Sequence, residues 1–405
     1  MDYSFNGKKA IIIQYDSFGL PDILEHFKFL GIDTVLFQHD DLINADNSKL
    51  QEDFIQFANS ESYDFVFSFN YYPFVSICCN KLNKEGYNLK YLSVVYDNPH
   101  MALYSYPIIY PCNYVFIFDS SQFEELYNAG IKTVFYSPLP VYTQRIDRLL
   151  GDFSHTSSLN YTDEVSFVGN LYNESHNYYD IIQDTLKNTS PYLSGYLDAI
   201  VNAQSRIYDN FLLDDCITDE MAEEMCKIVP YSKRSYSIAT DKYICTNYYL
   251  SRKVTEIERT RLLHSVSKTF PLSLYTCGNT KNYPEIINKG TVDYYNEMPF
   301  VFRNSKINLN ISLKSIKTGI PLRAMDIMAC GGFLLTNYQE DFLKHFNPGE
   351  DFIFFTSEKD LLDKIHYYIH NDAERKEISR NGYLKIRENY SYDIIINQML
   401  DICLN

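Results

Sequence analysis

The chain has 405 residues, 45% of them hydrophobic and 22% charged. That is enough for two α/β domains, each with its own core, and it excludes collagen-like, low-complexity and wholly disordered architectures. A formal net charge of −16 repels phosphate backbones and anionic headgroups, which argues against a nucleic-acid partner or a polybasic membrane anchor.

The longest apolar runs, KKAIIIQY near Lys8 and GGFLLTN at Gly331, are strand-sized and far short of the roughly 20 residues that cross a bilayer, so no transmembrane segment is expected. The opening MDYSFNGKKAIII runs into a strand pattern without the layout of a secretion signal. Nine cysteines at irregular spacing, with no CxxC, suit reduced thiols, and the cytoplasm is the expected compartment. The 37 tyrosines and missing tryptophan follow no stripe and point to no chemistry.

In chain order, a strand over Ala10 to Gln14, a helix from about Pro21 to Leu30 and a strand over Thr34 to Phe37 set a βαβ grammar. It continues with strands at Phe65 to Phe69, Tyr91 to Tyr96 and Tyr114 to Phe118, a helix over Gln122 to Asn128, and a strand at Thr133 to Tyr136. Right-handed crossovers join these into one parallel sheet. The stretch from Ser137 to Glu164, with two prolines, a glycine and a Ser/Thr/Asn cluster, reads as an interdomain connection.

A second α/β pattern starts at VSFVGN (Val165). It is interrupted by a helical, tyrosine-rich insertion over about 178–264, whose acidic run LLDDCITDEMAEEM reads as a solvated helix face. Strands then follow at Leu272, Thr291, Lys306, Phe333 and Asp351, before a mostly helical end with amphipathic runs over Leu361 to Ile369 and Ala373 to Ile386. The expected domains are 1–150 and 151–387, with a last helix over 388–405 packing back on the first.

The most informative segment runs from Lys306 to Asn337 and reads strand, loop, helix, glycine pair, strand. Gly319 allows an unusual backbone angle before the helix, and Pro321 suits its first turn, where a missing N–H costs nothing. A helix start presents free N–H groups and partial positive charge, so with Arg323 beside it the segment forms a cradle for a diphosphate. Asp326, three residues on, shares the helix face of Arg323 near the carboxyl edge of the sheet, where doubly wound folds bind ligands. Gly331 and Gly332 stop the helix and let backbone pass close to its neighbours. An ordinary crossover helix with a surface Arg/Asp pair has the same residues.

The run G-I-P-L-R-x-x-D-I-M-A-C-G-G-F-L-L-T-N resembles the donor-binding signature of the spore-maturation-protein-like glycosyltransferases, within the wider GT-B group. The resemblance covers the C-terminal half more closely than the N-terminal half. It implies an α/β fold of two facing Rossmann-like domains with parallel sheets, a nucleotide-sugar donor on the second domain and an acceptor on the first. In related retaining families a Glu on the matching helix holds ribose or sugar hydroxyls, a place taken here by Asp326. An acid eight residues upstream is replaced by Thr318, so the paired-acid motif is absent and retention of configuration does not follow.

By the same resemblance FVGNLYN, from Phe167, is the first strand and phosphate-side loop of the donor domain, which assigns Gly169 and Asn170 to the donor phosphates. Tyr294 and Tyr295 fall where the nucleotide base lies, and Tyr275 and Gly278 end another strand facing the same cleft. Each of these residues also suits a turn or core packing.

In the first domain, VVYDNPH ends a buried-type strand with Asp97, Asn98, Pro99 and His100. In GT-B enzymes the acceptor-side base or a sugar-contacting polar residue often follows the corresponding strand, so the resemblance implies Asp97 as the first candidate catalytic residue and His100 as the second; a carboxylate or imidazole there can take the proton of an acceptor hydroxyl. An Asx turn closed by Pro99 is the structural alternative. Asp16, Ser17 and Phe18 follow the first strand at a position that can meet acceptor or sugar. No HExxH, cysteine cluster, EF-hand loop or well-placed DxD pair occurs, so neither a structural metal nor a metal cofactor is expected. The expectation is a metal-independent transferase. Its rivals are a non-catalytic nucleotide-sugar-binding scaffold of surface or spore-coat assembly and a sugar-nucleotide epimerase of the same architecture.

Overall fold

The computed structural model describes residues 5–15, 18–151, 153, 161–174, 177–281 and 283–405. Contact clustering divides the chain into two compact units, one comprising residues 1–142, 232–239 and 389–405 and the other residues 143–231 and 240–388. The first unit therefore ends before the helix Thr143–Leu150, and it takes in both a short piece of the helical insertion and the last helix, Tyr392–Leu404.

The first unit holds β1 (Lys9–Ile13), β2 (Asp33–Phe37), β3 (Phe65–Phe69), β4 (Lys90–Val95), β5 (Asn113–Ile117) and β6 (Val134–Tyr136) in one sheet of order β2-β1-β3-β4-β5-β6. Every pairing is parallel. The unbroken apolar run FVFSF of β3 is buried at all five positions, as a central strand covered on both faces must be. Phe27, from the helix Leu20–Phe29, packs edge-on against Phe65 and Phe67. Each such ring taken from water stabilises the unit by about 1.5–3 kcal/mol.

The second unit holds β7 (Asp163–Val168), β8 (Leu272–Tyr275), β9 (Ile287–Asn288), β10 (Ser305–Asn310), β11 (Leu334–Asn337) and β12 (Ile353–Phe355), ordered β12-β11-β10-β7-β8-β9 and again all parallel. Between β7 and β8 the chain makes the insertion, with helices at Tyr178–Thr189, Pro191–Gln204 and Asp219–Ile228. A further helix starts at Asp241, passes through a π-helical stretch at Cys245–Leu250 and continues over Ser251–Ser267. Widened π turns inside a helix recur at functional sites.

The strand expected at Thr291 is not formed. The edge strand β9 ends at Asn288, and Gly290 turns the chain at φ 84°. Asp293 then accepts from the N–H groups of Tyr295 (3.1 Å) and Asn296 (2.8 Å), so the carboxylate closes a turn where an extended run was expected. Among the described residues, no helix is long and apolar enough to cross a membrane.

Candidate functional site

In an open parallel sheet ligands collect outside the carboxyl ends of the strands where the strand order reverses. In the second unit that point lies between β7 and β10, and the residues that follow these strands are Gly169 and Ile311. Gly169 has φ 152°, its N–H donates to the Tyr275 carbonyl (3.0 Å), and a Cβ added to it would stand 2.5 Å from an Nη of Arg323. The Arg323 guanidinium thus lies directly over the turn after β7, and only glycine leaves it room.

Arg323 is the second residue of the helix Leu322–Ala329, whose N-cap is Pro321; no side chain caps that end. Among the described residues Arg323 makes no ion pair with a carboxylate, Asp326 included. Its contacts are a 3.5 Å approach to the Asn310 side-chain oxygen and the Phe167 ring, whose centroid lies 5.3 Å from its Cζ.

A second guanidinium shares this ring. Arg259, in the helix Ser251–Ser267, is buried and places its Cζ 5.4 Å from the Phe167 centroid and 5.2 Å from that of Tyr172. It donates from Nε (3.0 Å) and Nη2 (2.6 Å) to the Ile311 carbonyl and from Nη1 to the Asn170 carbonyl, so it spans the ends of β10 and β7. Among the described residues it too has no carboxylate partner. Burial lowers the pKa of both arginines, and for Arg323 the neighbouring Arg259 charge adds to the effect. The charges of Asp326 and Glu258 act the other way on Arg323 and Arg259 respectively, but neither carboxylate closes an ion pair with its arginine, so a bound anion would relieve the repulsion between the two.

Asn170 closes the turn, its side-chain oxygen accepting from the Tyr172 N–H (2.7 Å). Asp326 is buried, and the Tyr294 hydroxyl stands 3.5 Å from its Oδ1. Tyr294 and Tyr295 meet edge-on at 5.0 Å, and the Arg145 guanidinium lies 5.3 and 5.1 Å from their rings. Arg323 with Gly169 and Asn170, and Asp326 with Tyr294, are therefore brought together by the fold.

The remaining expected donor residues lie around this turn and at the two ends of the Arg323 helix. The Tyr275 hydroxyl donates to Asp163 (2.8 Å), which also binds Ser273 and Lys289 at the sheet's opposite edge. Gly278 packs against the turn after β7, where a Cβ would stand 3.0 Å from Leu171 and 3.1 Å from Asn173. Gly319 is buried two residues ahead of Pro321. Gly331 and Gly332 sit at the C-terminal end of the Arg323 helix, their N–H groups donating to Met328 and Ile327. An added Cβ there would meet the Phe153 ring at 2.6 Å and the Phe302 carbonyl at 2.7 Å. The pair ends the helix and admits close packing at the edge opposite Arg323.

In the first unit the strand order reverses between β1 and β3. Asn70, just after β3, takes φ 60°, and its Oδ1 accepts from the N–H groups of Tyr96 (2.9 Å) and Asp97 (3.1 Å). Its Nδ2 donates to Asp97 Oδ2 (2.8 Å), so an exposed carboxylate is held in one orientation after β4. His100 is committed otherwise: its Nε2 lies 2.8 Å from the Tyr71 carbonyl and 3.1 Å from the Tyr71 N–H, which ties the imidazole to the backbone after β3. Burial lowers its pKa. Phe18 is exposed, while Asp16 and Ser17 lie outside the described residues.

Arg259, Tyr172 and Asn70 were not among the sequence candidates. Arg252 and Arg259 are seven residues apart, two turns on one helix face, and Asn is the residue that enters the left-handed region most readily after glycine. Those are the signals that point to them.

Two doubly wound parallel sheets with these connections define the chain as an α/β protein of the GT-B fold. Sucrose-phosphate synthase from Thermosynechococcus elongatus is similar at 10% identity and a TM-score of 0.52, with 98% of each chain covered. Anabaena HepE, solved in complex with UDP and glucose, is similar at 10% identity and a TM-score of 0.52, with 98% of this chain and 99% of that one covered. Residues 255–401 match the glycosyl transferase-like family. No curated protein matches the chain.

Proposed function

We propose that the protein is a glycosyltransferase that transfers a sugar, a hexose by preference, from a nucleoside-diphosphate sugar to an acceptor hydroxyl. The observation that carries this reading is the pair of guanidinium groups, Arg259 and Arg323, which among the described residues form no ion pair with a carboxylate, at the point where the strand order of the second sheet reverses. With the uncapped start of the Leu322–Ala329 helix they form an anion site with two fixed positive charges. The match of residues 255–401 to the glycosyl transferase-like family and the fold shared with HepE, which was solved with UDP, support the same reading.

The phosphates sit against Arg323, Arg259 and the Gly169 turn, while Asp326 and Tyr294 take ribose or base. As the bond between sugar and phosphate breaks, negative charge grows on the leaving diphosphate, and the two guanidinium groups meet it already in place. This is the role a divalent ion would otherwise fill, so turnover needs no metal. Asp97, oriented by Asn70, takes the acceptor proton. The protein works in the cytoplasm of a bacterium, on a cell-surface or spore-type precursor.

A thermal-shift screen against UDP-, GDP- and dTDP-sugars tests the reading. A donor at a hundred times its dissociation constant adds about 2.7 kcal/mol of stability, and transfer or slow hydrolysis of that donor is then expected. Binding without turnover on any acceptor would indicate the scaffold reading, which the replacement of the upstream acid by Thr318 favours.

A further inference from the structure

Among the described residues, two that are not glycine take positive φ: Asn70 at 60° and Tyr172 at 59°. Each follows the strand at which its sheet reverses order, β3 in one unit and β7 in the other. For Asn this conformation is common; for a bulky aromatic residue it is an outlier that the surroundings must hold in place, and such outliers gather at functional sites. Glycine would fit the Tyr172 backbone without strain, so the ring has to account for its presence.

That ring touches two cations. The Arg259 Cζ lies 5.2 Å from its centroid and the Arg252 Cζ 4.8 Å, while Arg259 and Arg323 flank Phe167 at 5.4 and 5.3 Å. Arginines and aromatic rings thus alternate as Arg252, Tyr172, Arg259, Phe167, Arg323 along the turn after β7. Among the described residues, Arg252 is the member of the row that forms an ion pair, with Glu174 at 3.4 Å. The Tyr172 turn is fixed from behind by Asn170, which accepts its N–H at 2.7 Å.

We infer that Tyr172 is a positioning residue that holds Arg259 in line with Arg323, so that the site takes a diphosphate in preference to a monophosphate. The inference rests on the diphosphate reading of the site. A monophosphate needs one of the two guanidinium groups, whereas a diphosphate draws on both at a fixed spacing. Loosening Arg259 therefore penalises the diphosphate more. The left-handed backbone is retained because it delivers the ring between Arg252 and Arg259.

The test is calorimetric titration of UDP, UMP and inorganic pyrophosphate into the parent protein and four variants. Tyr172→Gly and Tyr172→Asn both suit the backbone and remove the ring, Tyr172→Phe keeps it, and Arg323→Met serves as the control. The two ring-less variants are expected to bind UDP about tenfold more weakly. Their preference for UDP over UMP should fall by a similar factor while melting temperatures stay near that of the parent. Tyr172→Phe should stay within about threefold of the parent. Parental UDP affinity and UDP-to-UMP preference in both ring-less variants, with binding lost in Arg323→Met, would overturn the inference and leave the diphosphate reading standing. A parent that binds neither UDP nor pyrophosphate removes both.

Discussion

Replacing Arg323 by Met separates what the site does for binding from what it costs in stability. The Arg323 and Arg259 Cζ atoms lie 5.3 and 5.4 Å from the same Phe167 centroid, so they are at most about 11 Å apart. At an effective dielectric of about 20, two like charges at that limit repel by about 1.5 kcal/mol, and by more if closer. Methionine keeps most of the apolar stem and removes the charge, forgoing about 0.5–1 kcal/mol of attraction to the ring. The ligand-free variant should therefore be as stable as the parent or gain about 0.5–1 kcal/mol. In a unit of this size that is a rise in melting temperature of about 1–3 °C. Binding moves the other way, since a hydrogen bond to a charged group is worth about 1.5–3 kcal/mol, so UDP should bind roughly 10- to 150-fold more weakly. Differential scanning calorimetry with and without UDP reads both quantities. A variant that melts several degrees lower yet keeps the parental UDP shift would show Arg323 to be a structural arginine, and the reasoning would fail.

Further predictions follow from single contacts. Gly169→Ala puts a methyl group 2.5 Å from an Arg323 Nη, and donor affinity should drop about tenfold as the guanidinium is displaced from a charge-assisted bond; parental affinity would mean that Arg323 does not act from that position. Asp97→Asn should lower kcat by about 10²–10⁴ with donor affinity unchanged, and an undiminished kcat would move the proton acceptor elsewhere. Turnover should survive exhaustive chelation, and loss of activity that Mg²⁺ or Mn²⁺ restores would contradict the arginine-based account. His26, His100 and His345 are all held below the usual histidine range, chiefly by burial. The unfolded chain then binds more protons than the folded one below an ordinary histidine pKa of about 6.5, so stability rises with pH from about 5 to 7. Melting temperatures across that range should climb more gently in His26→Gln, and an identical slope would exonerate His26.

The parallel sheets could be read from the chain because their strands are short β-branched and aromatic runs broken by helical periodicity. FVFSF and LSLY lie within one residue of where their composition puts them. The failure at Thr291 has a local cause: TVDYY has strand composition, but the Asp293 carboxylate binds the backbone ahead of it and closes a turn instead. In the site, Gly169, Arg323 and Asp326 were legible because a glycine after a strand and a proline at a helix start have fixed backbone meanings. Gly331 and Gly332 belong to the same motif, yet the fold puts them at the far end of the helix, a distinction that residue type does not carry. Arg259 was illegible for a related reason. It reaches the site across more than 85 residues of insertion, and only tertiary packing shows that its helix face points at the Asn170 and Ile311 carbonyls.

The central claim is that the turn after β7 and the start of the Leu322–Ala329 helix hold a diphosphate between Arg259 and Arg323. A crystal structure of the protein soaked with UDP tests it most directly. The account predicts both phosphates at that edge, with Arg323 and Arg259 within about 3 Å of phosphate oxygens. UDP bound elsewhere in the molecule, with no phosphate oxygen near either guanidinium, would contradict it.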